Sequence, residues 1–206
     1  IPQKKNKKMA MFCDVDADAV FQNWTARSIY EVPVLLEKQG LDEVVLRKLD
    51  VDATNHPLDM AEWHDMVERM LKDYDRKVTL GVVGKYVELQ DSYISLTEAL
   101  RHAAMANEAN LDIKWINAEL VEEGEIDLEA ELKDVDCILV PGGFGSKGLE
   151  GKISAIKYAR ENKVPFFGIC LGMQCAVVEY ARHIGMTSAN TTEANAETAY
   201  TVIDIL

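Results

Sequence analysis

Histidine, cysteine and basic residues are scarce in this sequence. Its 206 residues include four histidines, four cysteines and 22 basic against 35 acidic side chains, for a formal net charge of −13. Nucleic acid binding needs a positive surface, so this charge argues against such a partner. The cysteines (Cys13, Cys137, Cys170 and Cys175) show no CxxC spacing, which argues against zinc and against a disulfide framework and predicts a reducing, cytoplasmic setting.

Long apolar runs are also missing. No stretch approaches the roughly 18 apolar residues that span a membrane, and we expect no signal peptide. The sequence starts at Ile1 without a methionine and stops within the apolar run of residues 202–206, so we expect an excerpt of a longer protein. What is present, 48% hydrophobic and 28% charged residues, is typical of a globular domain.

Residues 1–76 contain both strand-like and helix-like patterns of apolar residues. MAMFCDV (residues 9–15) predicts a strand, and VPVLLEKQG (32–40) a short helix capped by Gly40. The opening IPQKKNKK is either a solvated tail or a remnant of a triphosphate-binding loop. Between residues 50 and 76, helical spacing predicts a linker helix that docks on a neighbouring domain. Its apolar face comprises Met60, Trp63, Val67, Met70 and Tyr74, and its histidines, His56 and His64, have no candidate ligand partner.

Strand-like and helix-like segments alternate from residue 77 onwards. The predicted strands are KVTLGVVG, LDIKWIN, DCILVP and VPFFGIC, and the predicted helices are SYISLTEALRHAAMANE, IDLEAELK, LEGKISAIKYARENK and LGMQCAVVEYARHIG. Apolar strands separated by helices predict a parallel α/β sheet with helices on both faces. Such sheets bind ligands at the carboxyl ends of their strands, where Cys170 and PGGFG both lie.

The loop PGGFGSKG (residues 141–148) contains a literal GxGxxG between Gly143 and Gly148. A dinucleotide-binding loop also needs an acidic residue about 20 positions later, where this sequence has GIC, so the match is a decoy. Adjacent glycines can instead aim backbone N–H groups at a developing negative charge, as in an oxyanion hole. A purely structural turn is the alternative.

The segment GICLG (residues 168–172) places Cys170 between glycines, after a buried strand and before a helix. This is the cysteine version of a nucleophile elbow, and the positive end of the helix favours the thiolate. The alternative is a buried structural cysteine. That role suits Cys175, which lies about 140° further round the helix.

No histidine of the sequence is placed to accept the proton of the Cys170 thiol. His183 lies roughly 19 Å along the same helix, and His102 ends an earlier helix. Either none is needed or it lies outside this sequence.

Several segments carry a resemblance to a known family. KVTLGVVGKYVELQDSYISLTEAL, CILVPGGFGSKGLEGKISAIKYARENKVPFFGICLGMQ and ANTTE resemble the class I, flavodoxin-like glutamine amidotransferase domain of the CTP synthase family. KKMAMFCDV through RSIYEVPVLLEKQGLDEVVL resembles the end of its α/β amidoligase domain. The implied parts are an amidoligase end (residues 1–49), a helical linker (50–76) and an amidotransferase domain incomplete at its C-terminus (77–206).

The resemblance implies a carbon–nitrogen ligase of pyrimidine biosynthesis that is inactive as this stretch alone. In that family, glutamine is hydrolysed at a cysteine through a glutamyl thioester, and the ammonia aminates UTP to CTP at the expense of ATP. It further implies a cytoplasmic homotetramer, Mg²⁺ ligands outside this sequence, GTP as allosteric activator and CTP as feedback inhibitor. Another class I glutamine amidotransferase and a non-catalytic amidotransferase-like regulatory module are the alternatives.

The resemblance also implies site residues. Cys170 is the nucleophile, with the backbone of Gly143 and Leu171 as oxyanion hole. The glutamine-binding candidates are Gly143, Phe144, Leu171, Gly172, Met173, Gln174 and Glu193, the nucleotide-binding candidates are Lys8, Phe12, Trp24, Thr25 and Ala26, and Lys147 is the GTP candidate; no metal ligand is assigned.

The sequence departs from the family at several positions. Arginine is usual where Lys147 stands, and a lysine loses the planar fork, which weakens the GTP assignment. Acidic residues are common where Thr25 and Arg27 stand, which weakens the ATP assignment. The family's His-x-Glu pair, its later glutamine-binding arginine and its phosphate-binding loop with magnesium carboxylates are expected outside this stretch.

Overall fold

The computed structural model describes residues 3–52, 54, 58–195 and 197–204. Contacts between Cα atoms divide the chain into two compact units, Ile1–Asp73 (unit 1) and Tyr74–Leu206 (unit 2). The boundary falls close to the end of the predicted linker and leaves the linker helix in unit 1. His56 lies outside the described residues, so the interpretation of this histidine stays a prediction.

Unit 1 is built from helices. They are α1 (Gln3–Cys13), α2 (Val32–Glu37), α3 (Leu41–Lys48) and α4 (Ala61–Leu71), with 3-10 turns at Ala17–Ala19 and Ile29–Glu31. The strand predicted at residues 9–15 is wrong, because residues 9–13 continue α1, whose Ala10 is buried. Residues 3–8 form the first turns of that helix, with Lys7 and Lys8 exposed, and the two interpretations of the opening lysines stay predictions. Lysine, alanine and methionine are good helix formers, which favours a helix here.

The two helices predicted in unit 1 are confirmed. The first ends at Glu37, and Gly40 adopts the left-handed conformation (φ 76°) in the turn that leads into α3. In the linker helix α4, Val67 is buried and the indole N–H of Trp63 donates to the carbonyl oxygen of Tyr30 at 2.8 Å. Met60 immediately precedes this helix and Tyr74 lies beyond its end, so the helix is shorter than its apolar pattern.

Unit 2 has a parallel sheet with helices on both faces, as predicted. Its strands, in the spatial order β2-β1-β3-β4, are β1 (Arg76–Gly84), β2 (Ala109–Asn117), β3 (Cys137–Val140) and β4 (Phe166–Gly168). Its helices are α5 (Ile94–Ala106), α6 (Ala118–Glu122), α7 (Leu128–Leu132), α8 (Leu149–Asn162) and α9 (Leu171–His183), and a 3-10 turn at Gln90–Tyr93 precedes α5. A parallel pair not predicted from the sequence, β5 (Ala189–Thr191) and β6 (Tyr200–Ile203), follows α9.

Alternation along the strands divides the core of unit 2 into two layers. Leu80, Val82 and Leu139 face the layer that α5 covers, whereas Val83 and Val140 face the layer formed with α8 and α9. Because both faces are covered there, β3 and the second half of β1 are apolar on both sides, whereas β2 at the edge alternates apolar with polar residues. The strand order reverses between β1 and β3, and sheets of this kind bind ligands at the carboxyl ends of strands beside such a reversal.

Candidate active site

Cys170 occupies a strained turn between β4 and α9. Its backbone angles, φ 51° and ψ −111°, lie in a region that L-residues rarely adopt, at a cost of about 1–3 kcal/mol. The side chain is solvent-exposed, so the alternative of a buried structural cysteine is wrong for this residue. Cys170 is also the N-cap of α9, at the positive end of the helix dipole, where negative charge is stabilised.

The two glycines that flank Cys170 allow α9 to start directly against the sheet. A Cβ added to Gly172 would lie 2.0 Å from the carbonyl oxygen of Val140 at the end of β3. A Cβ added to Gly168 would lie 2.6 Å from the carbonyl carbon of Gly172. No larger residue fits either position without moving backbone, so the G-x-C-x-G spacing is a packing requirement of this turn.

The glycine loop that follows β3 runs beside the cysteine. A Cβ added to Gly142 would lie 3.4 Å from the Cβ of Cys170, and one added to Gly143 would lie 3.7 Å from Cδ2 of Leu171. The structure therefore brings the predicted nucleophile together with both predicted oxyanion-hole residues. Phe144 follows them with its side chain 84% exposed, at the rim of the site.

Glu193 reaches the same loop from a distant part of the chain. Its Oε1 accepts a hydrogen bond from the backbone N–H of Gly145 at 3.0 Å, across 48 residues of sequence. The turn that presents it starts at Thr191, whose Oγ1 accepts from the N–H of Ala194 at 3.1 Å. Glu193 is exposed, so a carboxylate stands at the rim where an ammonium group could bind it.

The remaining predicted glutamine contacts lie in the first turn of α9. Leu171 and Gly172 are buried, Met173 is exposed and Gln174 is partly buried, with its N–H bonded to the carbonyl oxygen of Cys170. Lys147 is exposed on the glycine loop. The prediction that Cys175 belongs to the core is confirmed, since it is fully buried and burial raises its pKa to about 11.

Two buried lysines near the loop were missed from the sequence. Lys85, just after β1, is 8% exposed, and its Nζ lies 3.5 Å from Oε1 of Glu119 and 3.4 Å from the carbonyl oxygen of Phe144. Lys152 of α8 is 1% exposed, and its Nζ lies 3.2 Å from where a Cβ on Gly143 would be. A signal for Lys152 was available, because it occupies the i+3 position of an otherwise apolar helical face. The other members of that face are Leu149, Ile156 and Ala159.

The predicted nucleotide-binding residues belong to unit 1. Lys8 and Phe12 lie one turn apart on α1, both exposed, with the lysine Nζ 5.8 Å from the ring centroid. Trp24, Thr25 and Ala26 lie in an irregular segment between the two 3-10 turns, and Trp24 is 52% exposed. At the departure position Arg27, the guanidinium is paired with Glu31 at 2.6 Å.

The described histidines of unit 2 are His183 at the end of α9 and His102 within α5. His183 is the last residue of the thirteen-residue helix that Cys170 caps, and its ring lies 6.1 Å from that of Tyr180. The prediction that His183 cannot be the proton partner is therefore confirmed. In the part of the chain that the structure describes, no group of three or more His, Cys, Asp or Glu side chains could hold a metal ion.

Comparison with known proteins agrees with this geometry. Residues 88–202, more than half of the chain, match the family model described as glutamine amidotransferase class-I. The chain belongs to the class I glutamine amidotransferase family. Residues 1–51 match a second family model, described as the CTP synthase N-terminus, so the chain joins an amidotransferase segment to a segment of another type.

Relatives of this amidotransferase chain cover all of it. It is 49% identical to a CTP synthase of Clostridium acetobutylicum over 207 residues and 50% identical to one of Methanocaldococcus jannaschii over 211 residues. Each match covers 100% of this chain and 38% of the relative, so the chain spans about two fifths of the length of these relatives.

A solved structure is similar to part of the amidotransferase chain. It is the glutaminase domain of Trypanosoma brucei CTPS with bound acivicin, with a TM-score of 0.57 and 38% identity, covering 62% of this chain and 50% of that one. Together with the family match, this similarity confirms the predicted fold class of a parallel sheet flanked by helices. No described helix of this amidotransferase is long and apolar enough to cross a membrane.

Proposed function

We propose that this chain supplies the glutamine-hydrolysing site of a CTP synthase. The observation that carries the proposal is Cys170, exposed on a strained elbow at the carboxyl end of a parallel sheet, beside the glycine loop. Relatives named CTP synthase, similar over the whole chain, support the choice of this enzyme among class I amidotransferases. The acivicin-bound glutaminase domain of one such enzyme supports a glutamine site in this fold.

In the proposed reaction, the Cys170 thiolate attacks the side-chain amide carbon of glutamine. A C–S bond forms, and the carbonyl π electrons move to the oxygen, which the N–H groups of Gly143 and Leu171 stabilise. The C–N bond then breaks, and the proton that the thiol gave up leaves on nitrogen as part of ammonia. Water hydrolyses the glutamyl thioester to glutamate and restores the thiol. The His-x-Glu pair expected outside this stretch would carry the protons.

Glutamine recognition follows from charge and from the shape of the rim. The Glu193 carboxylate has one oxygen bonded to Gly145, and it would bind the α-ammonium group of the substrate. We assign the rest of the pocket to the exposed loop after β3 and to the first turn of α9. Its members are Gly143, Phe144, Leu171, Gly172, Met173 and Gln174.

Unit 1 would contribute to the second reaction, the ATP-dependent amination of UTP to CTP in pyrimidine biosynthesis. The exposed ammonium of Lys8 suits a UTP or CTP phosphate, with Phe12 one turn away. The segment at Trp24, Thr25 and Ala26, of which the first two are exposed, would lie near the adenine of ATP, and Lys147 of unit 2 near the activator GTP. The described residues offer no cluster for Mg²⁺, so its ligands would come from elsewhere in the whole protein.

The assembly is part of the same proposal. We expect a homotetramer inhibited by CTP, and we place it in the cytoplasm, where a reducing environment keeps a thiol nucleophile free. Cys13, Cys137, Cys170 and Cys175 are all free thiols, as such a setting allows.

Replacing Cys170 by alanine in the full-length protein that carries this chain tests the proposal. CTP formation is measured with glutamine or with ammonium as nitrogen donor, and Cys175→Ala serves as the matched cysteine control. We expect Cys170→Ala to lose at least about 10³-fold of glutamine-dependent synthesis, because no nucleophile remains, and to keep the ammonium-dependent reaction. Glutamine-dependent synthesis that survives this substitution would reject Cys170 as nucleophile. A protein without CTP synthesis from either donor would reject the assignment to CTP synthase.

A further inference from the structure

Lys152 is a charged residue in a position that the packing of α8 reserves for apolar side chains. It is 1% exposed, on the helix face that it shares with Leu149, Ile156 and Ala159. Within the described part of the chain, its Nζ has no hydrogen-bond partner. Burying an ammonium group without a hydrogen-bond partner costs free energy. An apolar side chain of the same length would fill the space without this cost. Packing alone therefore does not explain this lysine.

The ammonium lies directly behind the glycine loop. A Cβ on Gly143 would come within 3.2 Å of Nζ, so the absence of a side chain at position 143 leaves the space that the ammonium occupies. The same Cβ position lies 3.7 Å from Cδ2 of Leu171, the first residue of α9. The Lys152 ammonium thus lies close to Gly143 and Leu171, the two residues whose backbone N–H groups are assigned to the oxyanion hole.

Among the charged and ionisable groups around Lys152, Cys170 is the one that can supply an unpaired negative charge. Its electrostatic neighbours are Cys175, Lys85, Cys170 and Glu119. Cys175 stays a neutral thiol at neutral pH because burial raises its pKa to about 11, with Glu150 and Arg182 as further charges near it. The Glu119 carboxylate already lies 3.5 Å from the ammonium of Lys85, which repels that of Lys152. Burial lowers the pKa of Lys152, while a negative charge on Cys170 raises it.

We propose that Lys152 is a positioning residue of the glutaminase site, whose buried ammonium behind Gly143 stabilises the negative charge that forms on Cys170 and then on the substrate oxygen. This inference rests on the proposed function. Lys152 is 1% exposed, so the interaction acts inside the protein, where charges are screened less than in water. It strengthens as negative charge develops, so it affects kcat more than the binding of the neutral amide.

The test is Lys152→Met in the full-length protein, with Lys157→Met, an exposed lysine of the same helix, as control. Two quantities are measured, namely the rate of Cys170 alkylation by iodoacetamide at pH 7, followed by mass spectrometry, and glutaminase kcat and KM. For Lys152→Met we expect alkylation to slow about 3- to 10-fold and kcat to fall about 10- to 100-fold, with KM within about twofold. Ammonium-dependent CTP synthesis and the control variant stay at wild-type levels.

Thermal unfolding separates this effect from simple damage. A methionine removes a buried charge without a cavity, so Lys152→Met should melt at or above the wild-type temperature while it loses activity. Lys152→Arg keeps the charge and should recover part of the alkylation rate. Unchanged alkylation and kcat in Lys152→Met would overturn the inference, as would a loss that tracks a lower melting temperature. Alkylation needs no turnover, so its result is independent of whether the protein proves to be a glutaminase.

Discussion

At the scale of single residues, two cysteines five positions apart have opposite environments. Cys170 is exposed on a strained turn at the head of α9, whereas Cys175 is fully buried on the inner face of that helix. The helix period separates them, because five residues turn a side chain by about 140°. The same short segment can therefore hold a reactive thiol and an inert core residue.

The buried thiol predicts a loss of stability at alkaline pH. Burial raises the pKa of Cys175 from 9.0 to about 11, so the unfolded chain releases this proton first as the pH rises. Above about pH 9 the unfolded state binds fewer protons than the folded state, and the free energy of unfolding falls until about pH 11. The contribution lost is at most about 2–3 kcal/mol.

Urea unfolding of wild type and Cys175→Ala from pH 8 to pH 11 measures this contribution. At pH 8 the alanine variant should be about 1 kcal/mol less stable, because it leaves a small cavity. The difference should shrink or reverse by pH 11, since the variant has no thiol to ionise. A difference that stays constant over this range would contradict the predicted pKa.

At the scale of elements, α8 and α9 are joined by a partly buried ion pair. The guanidinium of Arg160 holds the carboxylate of Glu179 through hydrogen bonds of 2.8 to 3.1 Å, and Glu179 is 5% exposed. Because α9 carries Cys170 at its start and α8 carries Lys152, this pair helps to keep the two halves of the site in register.

Arg160→Met should therefore destabilise unit 2 by about 2–4 kcal/mol, because it leaves the Glu179 carboxylate buried without its partner. The matched control is Arg101→Met, which breaks an exposed pair with Glu98 at 2.6 Å and should cost less than about 0.5 kcal/mol. Chemical denaturation of both variants measures the two costs. Equal costs would indicate that burial of Glu179 adds nothing to the pair.

The sequence predicted the elements that have a distinctive period and length. Strand β3 and the second half of β1 are continuous apolar runs, β2 carries apolar residues at alternate positions, and helices α5, α8 and α9 are long, so both types were identified. The segment at residues 9–15 was assigned wrongly because a seven-residue apolar run fits a strand and a buried helix turn equally well. Helices α3 and α6 and the pair β5 and β6 were missed, since only contacts within the folded chain stabilise such short segments.

Part of the candidate site was also predicted from the sequence. Cys170 and the glycine loop could be identified because tight turns leave a local signature of glycines in the sequence. The Gly145–Glu193 bond joins residues far apart in the chain, so only the fold reveals it, and the fold also shows that Lys152 lies beside Gly143. Glu193 came from the family resemblance alone, and Lys152 was not identified, although it interrupts an otherwise apolar face of α8.

At the scale of the whole molecule, the two units differ in how they are stabilised. Unit 2 buries apolar side chains on both faces of its sheet, from β1 and β3 to α8 and α9. Unit 1 buries Ala10, Val34 and Val67 among its described residues. Many of its large apolar side chains are exposed, including Met11, Phe12, Ile29 and Leu49. Hydrophobic burial therefore stabilises unit 2 far more than unit 1.

This difference predicts unequal protection of backbone amides against hydrogen exchange in the intact chain. Amides of β1 and β3, which are central in the sheet, should open only with unfolding of unit 2 and exchange most slowly. Amides in the middle of α1 should exchange at least about 100-fold faster, because few buried contacts oppose their opening. Exchange followed by mass spectrometry of peptides from both units measures the ratio. Equal protection in α1 and β1 would mean that unit 1 gains stability from contacts other than its own apolar core.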